Sequence, residues 1–277
     1  MDIIVYLSNV YGSVIDSWSH PMTAPPSPAL SRRLFLAAAG LAAGTNRQAF
    51  GETREKSIKA IAFDGFVIID PRPVAQRAEE LFPGQGSALM AAWRSRQFEY
   101  TWLRTLARRY VDFRQVTQDA LTFAAKATDV PRDADKRERL MKTFSELKAW
   151  PDVAPALRDL KARGLRMAFL ANPPTQMFDA VVRNSQLEGL LEPHLSTDRV
   201  QAYKPDPRAY QMGVDAFGLA REEIAFAASA SWDAAGAKLF GYPTFWLDRA
   251  GLPDEELGVL PDAKGSDMAA LVAFVTS

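Results

Sequence analysis

Residues 58–72 read IKAIAFDGFVIIDPR, and the fold turns on how this stretch is taken. From Ile58 to Phe63 the chain is apolar apart from Lys59. A short continuous apolar run suits a strand buried on both faces, as in a parallel sheet, because a half-solvated strand would alternate. The run ends in one carboxylate, Asp64, and apolar residues resume directly after it. A buried carboxylate is costly unless it is paired or hydrogen-bonded. Asp64 therefore needs a partner from elsewhere in the chain.

The bulk composition narrows the search. The 277 residues balance 33 Lys+Arg against 33 Asp+Glu, so no global field favours nucleic acid or an anionic membrane. There is no cysteine, and the only histidines are His20 and His194. Disulfides, thiolate metal sites and cysteine nucleophiles are excluded, and a zinc site or a Ser-His-Asp triad is poorly supported. Hydrolytic chemistry in this chain would rest on carboxylates and lysine.

The front of the chain does not read as fold. Residues 22–51 run from a Pro/Ser-rich start through Ser31-Arg32-Arg33-Leu34-Phe35-Leu36 into an Ala/Leu/Gly-rich stretch. A paired arginine ahead of a modest apolar region resembles a twin-arginine export signal. The apolar part is only about ten residues, whereas a membrane span needs about 20. Ala49 and Gly51 suit cleavage after Gly51, and Met22 is the expected true start, with 1–21 a mis-called extension. Export would put the mature protein in a bacterial periplasm; a non-functional signal would leave it cytoplasmic.

From Ser57 onward, strand-like and helical patterns alternate. Short apolar runs occur at 58–63, 165–171, 224–228 and 243–247. Helical periods at 153–164, 205–218 and 232–241 end in Gly164, Gly218 and Gly241. This alternation predicts an α/β domain with a doubly wound, mostly parallel sheet over 57–72 and 150–277. Residues 73–149 break it, with helical stretches near 74–82, 86–109, 113–127 and 134–147 and no convincing strand. They read as a helical cap inserted after the first strand. Met90, Trp93, Phe98, Trp102, Leu103 and Leu106 make its second helix amphipathic.

Ligands of open parallel sheets bind outside the carboxyl ends of the strands. Asp64 ends the first strand, Ala171-Asn172 the second, Lys204 stands just before a helix, and Asp233 follows the 224–228 run. One arrangement gathers Asp64, Lys204 and Asp233 in one crevice, with Lys204 holding Asp64 ionised. Ordinary helix capping accounts for Asp206. Asp248-Arg249 reads as a turn or surface pair, and Asp70, ahead of Pro71-Arg72-Pro73, as a hinge into the cap rather than a second catalytic carboxylate. His194 has no evident catalytic role. GQG at 84–86 is too short and misplaced for a phosphate loop, and no metal, nucleotide or flavin signature appears.

FDGF, WRSRQFEYTWL (93–103), YVDF, QVTQDAL (115–121), YKPDPRAY (203–210) and WDAAGAK (232–238) together resemble the type II 2-haloacid dehalogenases of the haloacid dehalogenase superfamily. The resemblance runs from about Lys59 to Phe274. It implies that Asp64 is a nucleophile that displaces halide from a small 2-haloalkanoic acid and forms an ester that water hydrolyses. Arg94 would take the leaving halide, Lys204 would orient Asp64, and Asp233 would activate the water. Asn172 and Tyr210 would contact substrate, and Phe66, Phe98, Phe113 and Trp232 would line an apolar pocket that excludes bulk water. Partners would be the halogenated acid and water, with no cofactor, no nucleic acid and no stable membrane insertion after processing. The aromatic cap helices could support a homodimer.

Superfamily phosphatases carry a second aspartate two residues after the nucleophile and bind magnesium with it; here Phe66 stands there and can neither ligate a hard cation nor protonate a leaving alcohol. The chain also departs from the dehalogenase pattern. Phe66-Val67-Ile68 replaces Tyr-Gly-Thr, Ala171-Asn172 replaces Ser-Asn and is followed by Pro173-Pro174, and Ala228 and Ala230 replace a Ser and an Asn, with Ser229 and Ser231 close by. Loss of such polar partners costs about 1–3 kcal/mol each. Two readings stay open. One is a dehalogenase with a repositioned polar shell; the other is a hydrolase of another ester or phosphoester, or a catalytically weakened binding protein.

Overall fold

The computed structural model describes residues 57–131 and 133–277. The expected extension at 1–21 and the export signal at 22–51 lie outside the described residues. In chain order the elements are β1 (Ala60–Phe63), α1 (Gly65–Ile68), α2 (Arg72–Leu81), α3 (Gly86–Leu106), α4 (Phe113–Ala127) and α5 (Ala134–Lys142). There follow α6 (Val153–Ala162), β2 (Arg166–Ala171), α7 (Thr175–Asn184), β3 (Leu195–Ser196), α8 (Pro207–Phe217) and β4 (Ile224–Ala228). The chain closes with α9 (Ser231–Phe240), β5 (Thr244–Leu247), β6 (Ala263–Gly265) and α10 (Met268–Thr276).

The strands form one parallel sheet in the order β3-β2-β1-β4-β5-β6. The order runs outward from β1 in both directions, so the chain switches sides there, and the crevice for a ligand opens above β1. β1 is central and wholly buried. Its residues alternate between two cores: Ile61 and Phe63 join Phe169, Phe178 and Leu247 on one face, while Ala60 and Ala62 join Tyr210, Phe226 and Trp246 on the other. Both faces are covered, which is why the 58–63 run is apolar throughout rather than alternating.

The expected strands at 165–171, 224–228 and 243–247 appear as β2, β4 and β5. Gly218 and Gly241 end α8 and α9 with left-handed φ of 63° and 107°, a conformation that Gly adopts without a Cβ penalty. Between β1 and β2 the described residues hold helices α1 to α6 and no strand, apart from one antiparallel bridge, Ile69 to Ala149, where the chain leaves and re-enters the sheet domain. Asp112 and Asp133 cap α4 and α5 by accepting from the backbone N–H of Gln115 and Lys136.

The amphipathic face expected for α3 is only partly correct. Trp93 is buried, but Leu103 and Leu106 are 57% and 81% exposed. At about 100° per residue Leu106 lies about 140° round the helix from Trp93, so the two cannot share a face.

Candidate active site

Asp64 leaves β1 with its own N–H bonded to the Ala227 carbonyl of β4 at 2.9 Å. It then acts as N-cap of the one-turn helix α1, its Oδ2 accepting from Phe66 N at 3.2 Å. The carboxylate is thus anchored at the strand end by the backbone on either side. Lys204, brought in ahead of α8, donates from Nζ to Asp64 Oδ1 at 2.7 Å and to Asp233 Oδ2 at 2.5 Å. Its side chain and that of Asp233 are each 1% exposed, and that of Asp64 is 14% exposed. Asp64, Lys204 and Asp233 therefore meet as expected, and they do so at the centre of the sheet.

Burial raises the Asp64 carboxyl, but the Lys204 charge, the Lys204 and Ser229 hydrogen bonds and the Phe66 N–H together hold it below the ordinary carboxylate value. Asp233 goes the other way. Burial, aided by the Asp64 charge, pushes it up to about 6, although Lys204 and Tyr210 oppose the shift. Lys204 is desolvated yet held above the usual lysine value by the two carboxylates. The result is one carboxylate held low and one raised to about 6, on either side of a single ammonium. Among the described residues no group of three or more His, Asp or Glu is placed to hold a metal ion.

Several sequence assignments change role in the fold. Tyr210, expected against substrate, is fully buried, and its hydroxyl donates to Asp233 Oδ1 at 2.7 Å. It positions the second carboxylate. Asn172 is also buried, and its Oδ1 accepts from Lys204 N at 3.1 Å, so the side chain locks the lysine backbone in place. The hydroxyl missing from 66–68 and from Ala228 is supplied by Ser229, whose Oγ donates to Asp64 Oδ2 at 2.5 Å. The sequence carried this signal only as a serine one position out of register. Ser231 turns away and donates to Glu255 Oε1 at 2.5 Å.

The aromatic wall joins cap to core. Phe98 and Trp102 of α3 lie with ring centroids 5.3 and 5.5 Å from Trp232, which precedes Asp233. Trp102 is an addition to the expected set. Phe113 packs instead on Tyr203, 6.2 Å away, and Tyr203 precedes Lys204 and donates to the Val111 carbonyl. Phe66 is half-buried on α1. Arg94 is exposed on α3, one helical turn before Phe98, with its guanidinium 5.9 Å from that ring, and it is not joined to the Asp64–Lys204–Asp233 group.

The bland assignments also have places. Asp206 caps α8 and pairs with Arg208. Asp248 pairs with Lys264, and Arg249 with Asp152. Asp70 pairs with Arg72 at 2.6 Å beside the cap crossing. His194 sits edge-on to Phe169 and Phe178, and burial lowers its pKa.

This geometry has close relatives. The profile of the haloacid dehalogenase-like hydrolase family matches residues 33–241. The (S)-2-haloacid dehalogenase of Pseudomonas sp. (strain YL) is 44% identical over 216 residues, 78% of this chain and 93% of the relative. Haloacetate dehalogenase H-2 of Moraxella sp. (strain B) is 41% identical over 221 residues, 79% and 99% of the two chains. Among solved structures, the L-2-haloacid dehalogenase RSc1362 superposes with a TM-score of 0.78 at 41% identity, covering 80% of this chain and 100% of that one. The L-2-haloacid dehalogenase from Xanthobacter autotrophicus with chloropropionic acid covalently bound gives a TM-score of 0.72 at 27% identity, over 79% and 99% of the chains. With a family match across most of its length and relatives at this identity, the chain belongs to the haloacid dehalogenase-like hydrolases.

Proposed function

We propose that the protein is a hydrolytic dehalogenase of small 2-haloalkanoic acids that works through an ester on Asp64. The observation that carries this reading is the placing of Asp64: ionised, four-fifths withdrawn from water, and gripped on one oxygen more than on the other. Its Oδ2 accepts from both Ser229 and Phe66 N, while Oδ1 accepts from Lys204 alone. A carboxylate oxygen has two acceptor sites, so Oδ1 keeps a free lone pair for attack.

Oδ1 displaces halide from the carbon next to the substrate carboxylate; the C–O bond forms as the carbon–halogen bond breaks, and the halide leaves with the bonding pair. The single displacement inverts that carbon. A water molecule then adds to the Asp64 ester carbonyl while Asp233, ionised above about 6, takes its proton. Collapse of the adduct returns the Asp64 carboxylate and releases the 2-hydroxy acid. Ser229 and Phe66 N stand where oxyanion donors are needed, at the Oδ2 side. Phe98, Trp102 and Trp232 keep bulk water from the displacement.

The test is halide release from a panel of 2-halocarboxylic acids by the protein from Glu52 onward and by Asp64→Asn. Release by the first and not by the second is expected. No release from either folded protein overturns the proposal and turns attention to carboxylic esters and phosphoesters.

The same proposal places the protein in the periplasm, on the strength of Ser31-Arg32-Arg33-Leu34-Phe35-Leu36 and the short apolar run behind it. Fractionation of cells expressing the full chain and an Arg32→Lys, Arg33→Lys variant checks this.

A further inference from the structure

The helix that carries Phe66 is a single turn, and the Phe66 carbonyl lacks a helical partner. Ile69 N bonds Gly65 O at 2.9 Å, as a helix would have it. The next bond, from Asp70 N to Phe66 O, is not made: Asp70 N is drawn to Lys148 O across the bridge where the chain returns to the core, at 2.9 Å. The Phe66 carbonyl would be left bare. Trp150 fills the gap, donating from its indole Nε1 to Phe66 O at 3.3 Å while its backbone N–H bonds Ile68 O at 2.9 Å. A side chain from a distant segment thus caps the C-terminus of the turn that starts at the nucleophile.

The indole is itself held. The Arg72 and Arg249 guanidiniums lie 4.5 and 4.6 Å from its ring centroid. Each is fixed by a carboxylate: Arg72 donates to both oxygens of Asp70, and Arg249 to both oxygens of Asp152. Asp152 Oδ2 also accepts from Met268 N at 3.0 Å, which ties the arrangement to α10. Cation–π contacts of this kind restrain an aromatic ring as well as stabilise it.

We propose that Trp150 is a positioning residue for the nucleophile. By fixing the Phe66 carbonyl it fixes the Phe66 peptide turn, whose N–H holds Asp64 Oδ2, and so it aims Oδ1 at the substrate carbon. Among the described residues no hydrogen bond, ion pair or ring contact joins either guanidinium or the indole to the Asp64–Lys204–Asp233 group; the effect passes through one backbone turn. This inference rests on Asp64 being the nucleophile.

Trp150→Phe keeps an aromatic ring between the arginines but removes the N–H together with one ring of the indole. Ser185→Ala removes the hydroxyl that accepts from Ala149 N at 2.7 Å at the same crossing, without touching the indole or its two arginines. Single-turnover halide release at saturating 2-chloropropionate, KM and thermal midpoint are measured for wild type and both variants. The expected result is a roughly tenfold slower displacement in Trp150→Phe with KM within about twofold, the loss of about one hydrogen bond of alignment. Ser185→Ala lowers the midpoint and leaves the displacement rate alone. An unchanged rate in Trp150→Phe, or equal losses in the two variants, overturns the proposal and leaves Trp150 a structural hinge residue. Absence of halide release from the wild type instead removes the dehalogenase reading itself, and this inference with it.

Discussion

Replacing Lys204 by methionine keeps the length and apolar stem of the side chain and removes the charge that two carboxylates share. In the wild type the ammonium lies 2.7 Å from Asp64 and 2.5 Å from Asp233, with 1% of the lysine side chain exposed. Removing one partner of a buried charge pair costs about 3–5 kcal/mol. At about 1.4 kcal/mol per pKa unit, that is roughly 2–4 units of upward shift divided between the two carboxylates. At pH 7 Asp233, already pushed up to about 6, then takes the proton, and steady-state halide release falls by at least about tenfold, recovering in part as the pH rises. The same loss lowers the thermal midpoint by about 6–20 °C for a domain of this size.

The sign of the pH dependence separates this account from simple misfolding. In the wild type Asp64 is held below its unfolded pKa, so its contribution to stability is present above that value and lost as the pH falls through the folded one. In Lys204→Met the folded carboxyl pKa values lie above the unfolded ones, so stability is fullest in acid and lost as the pH rises through them. The difference in midpoint between the two proteins is therefore large at pH 7–8 and narrows towards pH 5. A calorimetric series in which the gap is constant or widens on acidification refutes the reasoning, as does a variant that releases halide at the wild-type rate at pH 7.

Three more expectations follow from the same atoms. Asp233→Asn completes the displacement but not the hydrolysis: one equivalent of halide appears and the intact mass rises by the substrate less its halogen, whereas repeated turnover would remove Asp233 from the base role. In the wild type, turnover declines about tenfold per pH unit below about 6, as Asp233 takes up its proton; a profile flat to pH 4.5 contradicts this. Gly236→Ala would put a Cβ 2.5 Å from the Tyr210 hydroxyl and 2.8 Å from Pro205 Cβ. The hydroxyl that donates to Asp233 must move, so turnover falls and its acid limb shifts upward, with about 1–3 kcal/mol of overpacking cost in urea unfolding. An Ala variant with a wild-type pH profile shows that Tyr210 has room to spare.

The parts of this protein that were legible in the sequence are those whose cause is local. Apolar runs at 58–63, 165–171, 224–228 and 243–247 mark strands because a parallel strand covered on both faces must be apolar throughout. Asp64 stands out because a carboxylate at the end of such a run needs a reason, and strand-end positions supplied Lys204 and Asp233 as partners. β6, three residues reading AKG, carries no hydrophobic pattern and is a strand because β5 offers it an edge, and β3, only two residues long, is held in the same way by β2. The expected helical periods do not include α7 or α10.

What only the tertiary structure decided is which atom meets which. Ala228 and Ser229 differ by one position, yet the turn out of β4 sends the Ser229 hydroxyl to Asp64 and Ser231 to Glu255. Tyr210 and Asn172 are chemically able to bind a substrate, and the fold also gives each a neighbour to hold: Tyr210 donates to Asp233, and Asn172 accepts from Lys204 N. Trp150 is separated from Phe66 by the whole helical insertion and reaches its carbonyl only because the chain crosses back beside β1. Residue type and spacing along the chain determined the strand, the carboxylate and its counter-charge, because these follow from burial and charge balance alone. The division of labour around them depended on hydrogen-bond directions a few ångströms long, which are set only when the sheet order brings distant segments together.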